Sequence, residues 1–144
     1  SMHSKIFINL PVADVDRSRE FFTELGYSFD EAFSDEKAVC LVLGENMVAM
    51  LLQRDFFGSF HPVTTADATT TKECVVCVDA ESRAAVDTLV DNAISAGAKP
   101  GDTEDHGFMY GRSYDDLDGH SWQIMWMDPA AMATGPDAAS TAQS

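Results

Sequence analysis

Apolar positions along the chain change their spacing in an order that occurs twice. Lys5 to Val12 (KIFINLPV) reads as a buried strand, with Pro11 near its end. Asp14 is a good N-cap, and behind it Val15, Ser18, Phe22 and Leu25 recur at the spacing of one helix face. Gly26 is expected at the C′ position that closes this helix. Three strands are predicted next, Tyr27–Phe33, Ala38–Leu43 and Met47–Gln53, with Gly44-Glu45-Asn46 as the turn between the last two.

The second half repeats that order. Glu73–Val78 is predicted as a strand. A helix from about Ser82 sets Val86, Leu89, Val90, Ala93 and Ile94 on one face, and Gly97 ends it. Strands near Lys99, over Phe108–Tyr114 and over Ser121–Met127 follow, with Asp118-Gly119 as a strong hairpin turn. Gly26 and Gly97 hold matching places, so the chain is an internal repeat with a period of about seventy residues. The expectation is one α+β domain over 5–130, built from two strand–helix–strand–strand–strand modules, 5–53 and 72–128, joined by a linker 54–71. In the linker, Asp55-Phe56-Phe57-Gly58-Ser59-Phe60 is either a lid, a dimer contact or a packed connection. The Ala-, Ser- and Thr-rich tail is expected to be loose from Pro129, and disordered over 131–144.

Composition changes this picture little. The chain has 144 residues, 45% of them hydrophobic and 23% charged, which suits a globular protein. No apolar run approaches a membrane span and no signal peptide is read, so the default location is the cytoplasm and no membrane partner is expected. With 24 acidic against 9 basic side chains the net charge is −15, which repels phosphate backbones and argues against nucleic acid as a partner. Cys40, Cys74 and Cys77 suit a reducing compartment. Cys74 and Cys77 form a C-x-x-C, but residues three apart on a strand point to opposite faces, so both are read as core thiols. His3, His61, His106 and His120 offer no pair at metal spacing, and no Ser-His-Asp elbow or phosphate loop is present.

Two segments carry a family resemblance. Asn9-Leu10-Pro11-Val12-Ala13-Asp14-Val15-Asp16-Arg17-Ser18, followed by Phe21-Phe22 and Leu25-Gly26, resembles the opening of glyoxalase-like proteins. His106 to Ser113, together with Asp118-Gly119-His120-Ser121-Trp122-Gln123-Ile124-Met125-Trp126-Met127, resembles their closing hairpin. Together they resemble the vicinal oxygen chelate superfamily of glyoxalases, bleomycin-resistance proteins and extradiol dioxygenases. The resemblance implies two βαβββ modules forming a cupped mixed sheet with helices outside, and a homodimer. It also implies a divalent metal chelated by vicinal oxygens of the substrate. The positions that hold the metal in that family fall here on Phe7, Met50, Glu73 and Gln123. Phe7 has no lone pair and the Met50 thioether suits soft ions only, so no residue is assigned as a metal ligand and no cofactor is expected.

With Gln123 turned into the cup, strand alternation places Ser121, Met125 and Met127 beside it, and Trp122, Ile124 and Trp126 toward the helix. The same logic puts Phe7, Asn9, Val48, Met50, Leu52, Glu73, Val75 and Cys77 on the pocket face. The expected ligand-binding set is therefore Phe7, Asn9, Met50, Glu73, Tyr110, Arg112, Gln123 and Met125. Glu73 either pairs with Arg112 or Tyr110, recognises a cationic or hydroxylated ligand, acts as a catalytic base, or sits in water at a strand end. The function expected is a metal-free pocket for a small hydrophobic or aromatic compound. The alternative is a lyase or dioxygenase with an atypical site, where alone a divalent metal would enter.

Overall fold

The computed structural model describes residues 1–134. It divides into two compact units, one ending at Thr71 and the other beginning at Lys72, where the sequence places the end of the linker. In the first unit, strand β1 (Ile6–Val12) leads into helix α1 (Val15–Glu24), and strands β2 (Ser28–Phe29), β3 (Ala38–Gly44) and β4 (Met47–Gln53) follow. The strands lie in the order β1-β4-β3-β2, with β1 parallel to β4 and the other neighbours antiparallel. In the second unit, β5 (Val75–Asp79), α3 (Arg83–Ser95), β6 (Lys99–Asp105), β7 (Met109–Asp115) and β8 (Ser121–Met127) repeat the plan in the order β5-β8-β7-β6. The expected fold, two tandem βαβββ modules each with its helix against the sheet, is the one observed.

The repeat extends to atomic detail at the helix ends. The Asp14 carboxylate accepts from the Asp16 and Arg17 N–H groups and caps α1, and the Ser82 hydroxyl accepts from Ala85 N–H to cap α3. At the other ends Gly26 (φ 101°) and Gly97 (φ 111°) turn the chain through the left-handed region. Just after each glycine, Tyr27 N–H donates to Phe22 C=O at 3.1 Å and Ala98 N–H donates to Ala93 C=O at 2.9 Å.

One face of each sheet is buried under its helix. Val15, Ser18, Phe21 and Phe22 of α1 are buried, as are Val39, Leu41, Ala49 and Leu51 on the strands beside it. In the second unit Val86, Val90 and Ala93 of α3 are buried with Tyr114, Trp122 and Ile124 of β7 and β8. The turn from Asp116 to His120 is anchored in this core. The buried Asp116 carboxylate accepts from the Trp122 indole at 2.9 Å and from the Asp118 and His120 N–H groups at 3.0 Å each. Arg83 at the start of α3 forms a two-point pair with Asp105 of β6 at 2.8 and 2.9 Å, and its guanidinium lies over the rings of Tyr110 and Trp126.

Several sequence expectations need correction. The strand predicted over Tyr27–Phe33 is only β2, because Asp30 then starts a 3₁₀ turn, Glu31–Phe33, by accepting from Ala32 N–H. Aspartate competes for backbone donors in this way and ends a ladder. The linker holds a short helix, α2 (Arg54–Gly58), and is packed: Phe56 meets Phe60 edge to face, and Arg54 donates to Thr65 C=O at 2.8 Å. The tail expected to be loose from Pro129 begins with a helix, α4 (Pro129–Thr134), and the rest of it, 135–144, lies outside the described residues. Cys74 and Cys77 are both exposed, not core thiols, since Cys74 precedes β5 and Cys77 is on the sheet face that the helix leaves uncovered. Among the described residues no helix is long and apolar enough to cross a membrane.

Asp116→Ala leaves the Trp122 indole N–H buried without its acceptor, and is expected to lower unfolding free energy by about 2–3 kcal/mol in urea denaturation. Trp122→Phe in the same background should recover part of that loss. The Arg83 guanidinium, then the Gly107 N–H, hold the Asp105 carboxyl down to about 2. Its folded pKa lies below that of the unfolded chain, so this stabilisation is present above the ordinary aspartate range and is lost as pH falls toward 2. NMR titration of the Asp105 carboxyl should show a midpoint near that value, and Arg83→Gln should return it to the ordinary range.

Candidate functional site

Strand alternation leaves the second face of each sheet open, and each open face forms a concavity. In the first unit Phe7 pairs with Val48, Asn9 with Met50, Met50 with Cys40, and Val48 with Val42. All six side chains therefore project from one face. With Phe33 and Asp30 on the far side and Lys5, Glu45 and Asn46 at one end, they line a groove of about 460 Å³. Its floor is apolar. Phe7 and Phe33 border it with 60% and 69% of their surface exposed, although phenylalanine ordinarily leaves water. Cys40 lies in the floor, and burial, then the nearby Asp30 charge, push its thiol up.

The open face of the second unit is smaller and more polar. Cys77 stands opposite Gln123, Ser113 opposite Gln123 on the other side, and Met125 opposite Gly111. These residues, with Met109 and the acids Asp102 and Glu104 of β6, line a hollow of about 120 Å³.

The structure thus brings Phe7, Asn9 and Met50 together in one groove, and Gln123 and Met125 in the other. Leu52 is buried and does not line the groove, although it follows Met50 on the same face. Glu73 and Tyr110 stand elsewhere, and Arg112 borders the hollow while its guanidinium turns away to α3. Glu73 is not in a strand: β5 begins at Val75, and Glu73 lies exposed in a bend before it. Tyr110 and Arg112 face α3 and not the open side. The closing hairpin pairs Ser113, not Arg112, with Gln123, and this register turns Arg112 over. The Tyr110 hydroxyl donates to Asp87 at 2.6 Å, and Arg112 donates to Asp87 at 3.0 Å and to Asp91 at 2.9 Å. Tyr110 first, then Arg112, hold the Asp87 carboxyl below the usual range. Arg112 therefore has two carboxylate partners on α3, and Glu73 is not one of them.

Sequence reasoning missed Asp30, Phe33, Cys40 and Val42 in the groove, and Asp102, Glu104 and Met109 in the hollow. β3 is apolar on both faces, so no alternation marked Cys40 and Val42. Phe33 was assigned to a strand that does not extend to it. For Arg112 a signal was present: Asp87 and Asp91 are one helical turn apart, an acid pair suited to a single guanidinium.

The positions that would hold a divalent metal do not fit one. The first unit supplies Phe7 and Met50, which offer no hard donor, and the second supplies Gln123 with Glu73 outside the ladder. Among the described residues no three His, Cys, Asp or Glu side chains gather in a group that could hold an ion.

Residues 5–44 match the family model for the bleomycin resistance protein-like N-terminal region. No curated protein matches the chain in sequence. Among solved structures, the hypothetical protein SA1046 from S. aureus is 23% identical, with a TM-score of 0.71 over 88% of this chain and 95% of that one. A glyoxalase-related enzyme from Fulvimarina pelagi is 18% identical, with a TM-score of 0.72 over 88% of each chain. A glyoxalase/bleomycin resistance protein/dioxygenase family enzyme from Burkholderia phytofirmans is 16% identical, with a TM-score of 0.68 over 84% of this chain and 96% of that one. At these identities the likeness establishes the fold.

Glu73→Ala removes an exposed side chain and is expected to change stability by less than about 0.5 kcal/mol. Arg112→Met leaves Asp87 and Asp91 facing one another and is expected to cost about 1–2 kcal/mol. Urea denaturation of the two variants separates these assignments.

Proposed function

We propose that this chain, a member of the vicinal oxygen chelate superfamily by its fold and its bleomycin-resistance-like opening, binds a small, flat, hydrophobic or aromatic compound in the groove of its first unit. One observation carries the reading. Two exposed phenylalanines border an apolar groove of about 460 Å³ whose floor carries no hard metal donor from Phe7 or Met50. Leaving two aromatic side chains in water gains nothing for the isolated fold, whereas a planar ligand laid between them buries both.

The sheet gives a scale. Strands lie about 4.8 Å apart, so Phe7 on one edge strand and Phe33 beyond the other stand roughly 14 Å apart. That width suits two or three fused rings lying flat on Val42, Val48 and Met50, in contact with a phenylalanine at each side. The Met50 thioether adapts to such a face. Asn9, Asp30 and Asn46 at the margins supply the few polar groups that fix orientation.

Planar aromatic probes such as acridine and naphthalene derivatives are expected to raise the melting temperature. Phe7→Ala and Phe33→Ala should each weaken binding about tenfold, as read by fluorescence titration. Because both side chains are exposed, neither variant should change stability by more than about 0.5 kcal/mol. Stoichiometric Ni, Zn, Fe or Mn in the purified protein, together with turnover of a hemithioacetal or a catechol, would overturn the proposal in favour of a metal-dependent lyase or dioxygenase.

A further inference from the structure

The groove of the first unit carries a charge that its apolar floor does not call for. Asp30 N–H donates to Cys40 C=O at 2.9 Å, which extends the β2–β3 ladder one rung beyond Phe29 and Leu41. Asp30 therefore stands opposite Cys40, Cys40 opposite Met50, and Met50 opposite Asn9. These residues form one row across the open face, with a carboxylate at one end and an amide at the other. The neighbouring row, Val42, Val48 and Phe7, is apolar throughout.

The Asp30 carboxylate accepts from Ala32 N–H at 3.1 Å, and among the described residues no lysine or arginine pairs with it. Its charge reaches the groove floor, where burial first, then Asp30, push the Cys40 thiol up. Phe33 is held beside it, because Phe33 N–H donates to Asp30 C=O at 3.2 Å and closes the 3₁₀ turn that Asp30 caps. One short turn thus presents a carboxylate and an exposed ring to the same groove. The other charged residues of the lining, Lys5 and Glu45 at the end by the β3–β4 turn, are opposite in sign.

We propose that the groove selects planar aromatic cations over neutral or anionic compounds of the same shape, with Asp30 as counter-ion and Phe33 as the ring the cation faces. The inference rests on the aromatic groove proposed above and names the charge of its ligand. An aromatic face attracts a cation through its negative potential, and more strongly as water is excluded. A carboxylate beside an apolar floor keeps more of its Coulomb attraction than one in open water. A neutral ring system covering Asp30 strips water from the carboxylate and returns nothing, and an anion adds repulsion. The net charge of −15 draws cations to the whole chain, a general field that loss of the Asp30 charge alone leaves almost intact.

Three probes of nearly one shape provide the test. N-methylphenanthridinium is a permanent cation, phenanthridine is uncharged at neutral pH, and phenanthrene carboxylate is an anion. Fluorescence titration of the full-length chain at low salt should give affinities in that order, with about tenfold between the first two. Added salt should narrow the gap. Asp30→Asn keeps the turn cap, since asparagine caps as well as aspartate, and removes the charge. In that variant the preference for the cation should shrink to about twofold. Glu24→Gln removes one exposed charge on α1, and should leave the preference as it is in the parent. The inference is overturned, with the groove reading intact, if phenanthridine or the carboxylate binds as tightly as the cation, or if Asp30→Asn keeps the preference. Binding of none of the three probes overturns both readings.

Discussion

Each unit of this protein depends on a single helix covering a single face of a four-stranded sheet. The side-chain period of a strand is two residues, so once α1 or α3 has taken one face, every second residue is committed to the other. In the second unit the commitment is made by Tyr114, Trp122 and Ile124, all fully buried in the unit that α3 covers. Trp122 is fixed further by Asp116 in the hairpin turn, which ties the register of β7 and β8 to the core. The same alternation that buries these residues sends Cys77, Ser113, Gln123 and Met125 to the open side. The interior and the candidate sites are two consequences of one register.

The helix side of the second unit is also where most of its ordered charge lies. Asp87 and Asp91 on α3, Tyr110 and Arg112 on β7, and Arg83 with Asp105 form charge-assisted links between helix and sheet. These residues would have been attractive as ligand-binding groups, since an arginine and a tyrosine near an open sheet suit recognition of an anion or a carbonyl. Their partners show a different use. They hold α3 in place, and the open face is left with sulfur, amide, hydroxyl and carboxylate groups.

The two open faces differ in chemistry although the units repeat one plan. The first presents phenylalanine and aliphatic groups over a wide floor, and the second presents three sulfurs and an amide in a hollow about a quarter as large. On the open face of the first unit this chain presents an aromatic ring at Phe7 and a thioether at Met50. Among the described residues no three His, Cys, Asp or Glu side chains gather there to hold an ion, and the floor of the groove is mostly apolar. Function in such a repeat is set by which side chains the open face presents, while the shared backbone plan stays constant.

Much of the fold was legible because its signals are local. The helix cap at Asp14, the helix start near Ser82, the glycines at 26 and 97, and the turn before Met47 are each determined by a few neighbouring residues, and all were found where the sequence placed them. Apolar alternation likewise assigned Phe7, Asn9, Met50, Gln123 and Met125 to their faces. What the sequence did not contain was pairing between distant strands. Where β5 starts decides whether Glu73 joins the sheet, and whether Ser113 or Arg112 stands opposite Gln123 decides which of them faces the open side. Those are properties of hydrogen-bond ladders between segments, and the energy that selects one register over its neighbour comes from the packed core. Tertiary structure alone therefore decided that Arg112 serves the helix, that Glu73 stays in water, and that three sulfurs share one hollow.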